Sequence, residues 1–312
     1  MSKVAVCICT YNRPAGLRLL CDALSRQYIK GLHAYDVAFV IVDNGETGNA
    51  RQYCASVEGV GRYEFVVVHE KRRGLVFARN AAIEAARQIK ATLVAFIDDD
   101  EVPDPNWLES LVTALIHSGA PAAIGPVHPI FAAPPSKWLP LTAYAMRRVA
   151  TDGLVEDGYT CNVIMKMSCI DEHKLRFNHR FNETGGEDTL FFQAWRRCGL
   201  TIAWAPKAIV YEFVPSSRMT PAWLFRRWYR TGNIEAHLSA YDVDTLKGRL
   251  FNLARGAMRV VWGGGCVLAS ALLHARRPEK IVANSYTVCR GAGLIASVFG
   301  RNFKEYSRPT YR

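Results

Sequence analysis

"VAFIDDDEVPDPNWL", residues 94–108, sets four apolar residues directly against four consecutive carboxylates, Asp98, Asp99, Asp100 and Glu101, and breaks the run at Pro103. Two carboxylates about 4 Å apart repel by about 1 kcal/mol in bulk water and several times that near protein. A chain that holds so much like charge at the end of a buried strand is expected to bring something positive to it. Upstream, three further apolar runs repeat the same theme: KVAVCIC (3–9), DVAFVIVD (36–43) and YEFVVVH (63–69). All four are short, continuous and rich in β-branched residues, as strands buried on both faces are. Helical patterns separate them. RPAGLRLLCDALSRQ has Pro14 near a helix start, and GLVFARNAAIEAARQIK carries Leu75, Ala78, Ala82, Ala85 and Ile89 at 3–4 spacing. Strands alternating with helices predict an α/β fold with a mostly parallel central sheet flanked by helices.

In such sheets ligands bind beyond the carboxyl ends of the strands. Those ends are Thr10, Tyr11, Asn12 and Arg13 after the first strand, and Asp43, Asn44 and Gly45 after the second. His69, Glu70, Arg72, Arg73 and Gly74 follow the third, and the acidic run follows the fourth. Four polar clusters in register predict one crevice. Asp98 and Asp100, two positions apart, present oxygen ligands of the kind that suit Mg²⁺ or Mn²⁺, which take one or two carboxylates together with substrate phosphates.

Further along, a helix is expected near 105–118, then a Pro-rich strand and irregular connection from 121 to 140. Strands at YTCNVIMK, LTIAWAP and AIVYEFV surround a helix from Thr189 to Cys198. A second acidic pair stands at that helix's entrance in NETGGEDTLFFQAW (182–195), with Gly185 and Gly186 allowing close backbone approach before Glu187 and Asp188. Carboxylates there commonly cap a helix and favour its dipole; the paired glycines favour a crowded site instead. If Asp188 is a general base, burial and Glu187 raise its pKa while the dipole lowers it.

The net charge of +11 is uneven. Residues 245–312 carry 12 Lys and Arg against two acids, so the remainder is close to neutral. A neutral body with a cationic tail faces an anionic partner, nucleic acid or the cytoplasmic membrane leaflet. The six apolar residues from Val4 to Cys9 are too few for a signal-peptide core and read as the first strand of a cytoplasmic protein. Nine scattered cysteines with no CxxC pair suggest neither a disulfide framework nor a zinc site.

CTYNRP (9–14), VDNGE (42–46), GLxxARN (74–80), FIDDDEVP (96–103) and GGEDTLFF (185–192), in this order, resemble the family-2 inverting glycosyltransferases of GT-A fold. Within that family they look like bacterial succinoglycan-type exopolysaccharide enzymes. The resemblance covers about residues 3–231 and implies a catalytic domain at 1–231 followed by a basic, membrane-associating helical region at 232–312. It implies a nucleotide pocket of Thr10, Tyr11, Asn12, Arg13 and Asp43, with Gly74, Arg79 and Asn80 also on the substrate side. By the same likeness Asp98 meets the ribose, Asp100 holds a Mg²⁺ or Mn²⁺ ion bridging the diphosphate, and Asp99 belongs to the same run. Asp188 is then the base, with Glu187 beside it. Arg226, Arg227 and Trp228 in AWLFRRWYRTGN resemble the QxxRW motif of processive synthases and become diphosphate-side candidates. Leu224 stands where Gln belongs, which favours addition of a single sugar. Relatives carry a histidine metal ligand after the strand that here reads KAIVYEF; Glu212 is the nearest substitute. The implied partners are a UDP-sugar donor such as UDP-glucose and a polyprenyl-diphosphate-linked saccharide acceptor.

The tail contains VVWGGGCVLASALL (260–273), which as a helix of its own runs about 21 Å, short of the roughly 30 Å hydrocarbon core. With a second apolar segment at 288–300 and flanking cations, it reads as peripheral attachment to the anionic cytoplasmic face of the inner membrane; burial against the catalytic domain is the alternative. Two other functions compete. Asp98, Asp100 and Val102 also satisfy the DxDx[VT] pattern of haloacid-dehalogenase-type phosphohydrolases, although that motif opens its fold and here follows three strand–helix units. A non-catalytic membrane or nucleic-acid binder is the other, but the tail lacks the interleaved aromatics of RNA modules, so no nucleic-acid partner is expected. No GxGxxG follows the first strand, which disfavours a dinucleotide-dependent enzyme.

Overall fold

The four apolar runs form parallel strands: β1 (Ser2–Thr10), β2 (Tyr35–Asp43), β3 (Glu64–His69) and β4 (Leu93–Asp98), in spatial order β3-β2-β1-β4. The computed structural model describes residues 2–28, 35–55, 63–145, 150–182, 184–239, 245–274 and 276–303. Helices α1 (Pro14–Ser25), α2 (Ala50–Ala55) and α3 (Leu75–Gln88) connect the strands. Val4 to Ile8 and Val37 to Val42 are buried, which is why these runs lack the polar alternation of a half-exposed sheet. On α3 the buried face is Val76, Ala78, Ala82, Ile83, Ala85 and Ala86.

After β4 the chain turns through Asp99 and Asp100 into β5 (Glu101–Pro103) and α4 (Trp107–Ser118). There follow β6 (Ala122–Ile124), β7 (Val127–Phe131), β8 (Leu154–Val155), β9 (Asn162–Lys166), α5 (Met167–Glu172), α6 (Glu187–Arg197), β10 (Ile202–Trp204) and β11 (Val210–Val214). The large sheet continues β4-β9-β6-β10-β8, with β9 antiparallel to both β4 and β6, β10 parallel to β6, and β8 antiparallel to β10. Strands β5, β11 and β7 form a separate small sheet in which Glu212 stands opposite Glu101. Strand β5 is not expected from a run that ends in proline; at the end of a short edge strand Pro103 costs no ladder hydrogen bond. The strand expected after residue 120 is two short strands, broken at Gly125 and Pro126.

Contacts divide the chain into two units: Met1–Pro129 with Met146–Asn182 and Glu187–Glu212, and Ile130–Ala145 with Glu183–Gly186 and Phe213–Arg312. The first holds the large sheet. The second holds three helices, α7 (Pro221–His237), α8 (Leu246–Leu273) and α9 (Pro278–Val298). Thr220 caps α7 by accepting from the Trp223 amide (3.2 Å), and Thr245 caps α8 by accepting from Gly248 (3.0 Å). The expected boundary at residue 231 falls inside α7.

Candidate active site

Register aligns the strand ends. Thr10 pairs with Asp43, Asp43 with His69, and Cys9 with Asp98, so the polar clusters that close β1, β2, β3 and β4 share one edge of the first unit. Asn12 takes a positive φ of 51° as the chain leaves β1, a conformation that asparagine tolerates better than most residues.

The positive charge expected beside the acidic run comes from two arginines. Arg13 Nη1 donates to Asp99 Oδ1 (2.9 Å) and Asp100 Oδ2 (2.8 Å), while Thr10 Oγ1 donates to the other Asp99 oxygen (2.7 Å). Asp99, 5% exposed, is therefore tied inward to β1 and α1. Arg79, on α3, is buried against Glu187 of α6, and its Nη2 lies 3.7 Å from Asp98 Oδ1. The charge of Asp188 acts on both Arg79 and Glu187. One guanidinium thus joins the two acidic clusters, separated by about ninety residues of sequence, into a single electrostatic unit.

Two carboxylates hold protons unusually well. Although its side chain is 42% exposed, desolvation by the surrounding protein pushes Asp98 up to about 7, opposed by Arg79 and helped by Asp100, Asp99 and Glu212. Glu101, 3% exposed, is raised well above the ordinary glutamate value by burial and by the charges of Asp98, Asp100 and Glu212. Its Oε2 accepts the Asp98 amide (2.9 Å) and so shapes the turn that presents the aspartates. Asp98, Glu101 and the Cys161 thiol bring ligand atoms within 4.8 Å of one another. The described cysteines are all free thiols. Asp98 and Glu101, raised by desolvation and by the negative charge of Asp100 and Glu212 beside them, belong to a carboxylate set that fits a hard divalent cation, which wants oxygen and repays the repulsion.

Other predicted residues have specific tasks. Both oxygens of Asp43 accept amides of its own loop, from Gly45 (2.8 Å) and Ala50 (2.8 Å). Thr10, Asn12, Arg13, Asp43, Thr47 and Asn49 line a small depression beside that loop. Tyr11 is partly exposed, with the Arg73 guanidinium 5.4 Å from its ring centre. Gly74 opens α3 at φ 136°, where a Cβ would fall on the Asn182 amide, and its N–H donates to Asn44 Oδ1 (2.8 Å). The Asn80 amide is engaged by backbone: it donates to Phe177 O (2.9 Å) and accepts from Phe177 N (3.0 Å). Asp188, half-buried, accepts the Thr189 amide (2.7 Å) in the first turn of α6.

Arg226, Arg227 and Trp228 belong to the second unit. Trp228, 6% exposed, packs edge-on against Tyr286 within a core that includes Leu139, Tyr144, Leu224 and Val282. Leu224 is fully buried there, which explains an apolar residue where a processive enzyme has glutamine. Arg226 is exposed, and the Arg227 guanidinium lies 5.3 Å from the Trp223 ring centre.

The sequence reading missed Glu101 as a positioning residue, Cys161 and Asn162. Asn162 is fully buried; its Oδ1 accepts from Trp107 Nε1 (2.8 Å) and its Nδ2 donates to Pro126 O (3.0 Å) and Ala208 O (2.7 Å). That hub fixes the approach to β11 and hence Glu212. A buried polar residue inside VIM-type strand sequence, just after Cys161, is the only signal that marked it.

Comparison with known proteins bears on the family and the fold. The chain is 28% identical over 302 residues to the succinoglycan biosynthesis protein ExoM of Rhizobium meliloti (strain 1021), covering 94% of this chain and 92% of that protein. The mannosyltransferase PcManGT from Pyrobaculum calidifontis, solved in complex with GDP-Man and Mn2+, has the same fold. Its TM-score is 0.62 at 16% identity, covering 96% of this chain and 88% of that one. S. aureus TarS 1-349 in complex with UDP superposes with a TM-score of 0.52 at 14% identity, covering 96% and 92%. These neighbours are glycosyltransferases of the GT-A type. The sequence profile described as Glycosyl transferase family 2 matches residues 5–174, and the chain belongs to that family.

Proposed function

We propose that this protein is a metal-dependent inverting hexosyltransferase that moves a sugar from a nucleoside-diphosphate donor, a UDP-hexose, to a lipid-linked saccharide in surface-polysaccharide assembly. The observation that carries the reading is Arg79, which holds the strand-end aspartates and the Glu187–Asp188 pair in one electrostatic unit. Support for the donor class comes from neighbours solved with UDP, UDP-GlcNAc and GDP-Man, and for the pathway from ExoM, named for succinoglycan biosynthesis.

Asp98, Asp100 and Glu212 are the residues we assign to a Mg²⁺ or Mn²⁺ ion and the donor diphosphate, with Glu101 positioning Asp98. When bound, the cation would supply Lewis-acid stabilisation of the charge that gathers on the departing diphosphate. Thr10, Asn12 and Arg13 line the nucleotide side, and Asp43 and Gly74 shape its loops. Arg13, already paired with two aspartates, keeps the turn rigid as the donor approaches. Asp188 acts as general base, taking the proton from the acceptor hydroxyl while that oxygen attacks the anomeric carbon opposite the leaving group. Glu187 cannot share this role, because its carboxylate is buried on Arg79.

Helix α8 supports attachment to the cytoplasmic face of the inner membrane. The expectation of a helix too short to span is corrected: capped by Thr245, α8 runs 28 residues, about 42 Å, because it continues through the charged turns before Val260. By length and composition it is sufficient to cross a membrane. Helix α9 instead buries Val282, Gly291, Gly293 and Leu294.

The decisive experiment is paired. Screening nucleoside diphosphates and UDP-sugars by thermal shift with and without Mn²⁺ should raise the melting temperature for a cation-dependent ligand. Asp188→Asn should keep that shift and lose transfer. Normal turnover by the variant refutes the base assignment, and no nucleotide-dependent shift refutes the donor class.

A further inference from the structure

The second unit contains a charge cluster that the transferase reading does not use. Helix α9 approaches α7 and α8 at glycines. A Cβ on Gly232 would collide with the Arg290 carbonyl, one on Gly293 with the Tyr229 carbonyl, and one on Gly256 or Gly291 with the opposing backbone of α9 or α8. Three helices thereby converge where Glu235 of α7, Arg255 and Arg259 of α8 and Arg290 of α9 meet. Arg259 donates to both Glu235 oxygens (2.7 and 2.9 Å), and Arg255 and Arg290 are also in contact with that carboxylate. Arg290 Nη1 donates to the Tyr286 hydroxyl (2.6 Å). Among the described residues three guanidiniums share one carboxylate, a surplus of two positive charges.

A cluster built only to tie helices together gains nothing from that surplus, since each extra guanidinium repels the others. Burial and the neighbouring cations hold Arg255 and Arg290 below their ordinary proton affinity. The Arg290 Nε is buried and has no acceptor among the described residues. All three side chains are nonetheless about one-quarter exposed, so an anion from outside can reach them.

The surroundings identify which anion. Leu250, Phe251, Met258, Val261, Trp262, Leu268 and Leu272 are exposed along α8. At roughly 100° per residue these positions form one stripe, with Arg255 on its border and Arg259 a further step towards the packed face of α8. An apolar stripe edged by guanidiniums matches the boundary between acyl chains and phosphates. We propose that Arg255, Arg259 and Arg290 form a binding site for the dianionic phosphate of a lipid headgroup, seated at the edge of the α8 face that meets the membrane. Two surplus charges match a phosphomonoester or diphosphate better than the single charge of a phosphodiester, and guanidinium forks bind such groups bidentately. The inference rests on the membrane-attachment reading of α8.

The test uses the full chain and vesicles of phosphatidylcholine alone, or with phosphatidylglycerol or phosphatidic acid at matched surface charge. Binding is followed by flotation, and folding of each variant by circular dichroism. Phosphatidic acid vesicles should bind most tightly. Arg259→Gln and Arg290→Gln should each weaken that preference about fivefold, leaving binding to neutral vesicles unchanged. Glu235→Gln removes the competing carboxylate and should strengthen phosphatidic acid binding, whereas a purely structural cluster is damaged by both kinds of change. Equal binding to all three vesicles, or weaker phosphatidic acid binding by a folded Glu235→Gln variant, overturns the site while leaving attachment standing. Binding to no vesicle overturns both. Competition by inorganic pyrophosphate without any lipid preference assigns the cluster to a soluble anion and also overturns it.

Discussion

Replacing Arg79 by methionine should be the most informative single change in the first unit, because it keeps the aliphatic bulk and removes the cation between the two acidic clusters. The guanidinium is 6% exposed and Glu187 is 5% exposed, so neither is rescued by water when the other is removed. One Glu187 oxygen, Oε2, already has no hydrogen-bond partner among the described residues. Stranding one member of such a buried pair costs about 3–5 kcal/mol. Asp98, at 3.7 Å and 42% exposed, adds less than about 1 kcal/mol. The loss should depend on pH. Burial raises the Glu187 pKa even with Arg79 present, and removing the cation raises it further. Between the unfolded value and the raised folded value the native state binds more protons than the unfolded chain, so stability falls as pH rises through that window. Urea unfolding at two pH values, one well above and one near the ordinary glutamate range, should therefore find the variant deficit larger at the higher pH and smaller at the lower, where Glu187 accepts a proton. The double variant Arg79→Met with Glu187→Leu should recover most of the loss, since an apolar pair of similar volume replaces a buried ion pair at little cost. A single variant within about 1 kcal/mol of the parent at both pH values, or a double variant no better than the single, would falsify the assignment of this pair as the link between the clusters.

Four further outcomes follow from the geometry. Mn²⁺-dependent nucleotide binding should strengthen as pH rises towards about 7 and level off above it, because Asp98 must release its proton to serve a cation; calorimetry at several pH values checks this, and an unchanged affinity sinks it. Gly74→Ala should cost at least about 1–3 kcal/mol from its positive φ, with the Asn182 collision added, as chemical denaturation would show. Asn162→Ala leaves the Trp107 indole N–H and two carbonyls without their partner and should cost about 3 kcal/mol or more in the same assay, while Cys161→Ala beside it should be mild. Serine at Trp262, Leu268 and Leu272 together should abolish co-sedimentation with vesicles and leave the melting temperature nearly unchanged, because all three side chains are exposed.

The strands and their shared edge were legible because they are local facts. A run such as VAFVIVD can be buried on both faces only within a covered parallel sheet, and the polar residues after each run then have one place to gather. What stayed hidden is non-local. Nothing near Arg79 announces Glu187, more than a hundred residues away, and nothing in KAIVYEF announces that Glu212 would stand opposite Glu101 in a second sheet. Asn80 and Trp228 show the converse. Both sit in motifs that the family resemblance marks for substrate, yet backbone pairing at Phe177 and packing against Tyr286 occupy them. The tail divided for a similar reason. Composition makes 260–273 and 288–300 look alike, but glycine spacing lets α9 sink between its neighbours while α8 keeps an apolar face outward.

Both sites have the same physical logic with opposite sign. At the strand ends, Arg13 is shared between Asp99 and Asp100 and Arg79 between Glu187 and Asp98, so among these residues the carboxylates outnumber the cations. At the helix convergence, three arginines share Glu235 and the net field is positive. Like charges at such range cost stability, and neither cluster is held by mutual attraction alone; each is held by rigid backbone, the β4–β5 turn in one case and glycine-mediated helix contact in the other. A fold that enforces repulsion in this way concentrates potential at the spot, and the sign of that potential selects the ligand that relieves it. A divalent cation answers the first. A phosphate dianion answers the second, and because Glu235 competes for the same guanidiniums, removing that one carboxylate is the change whose sign separates a ligand site from a helix clasp.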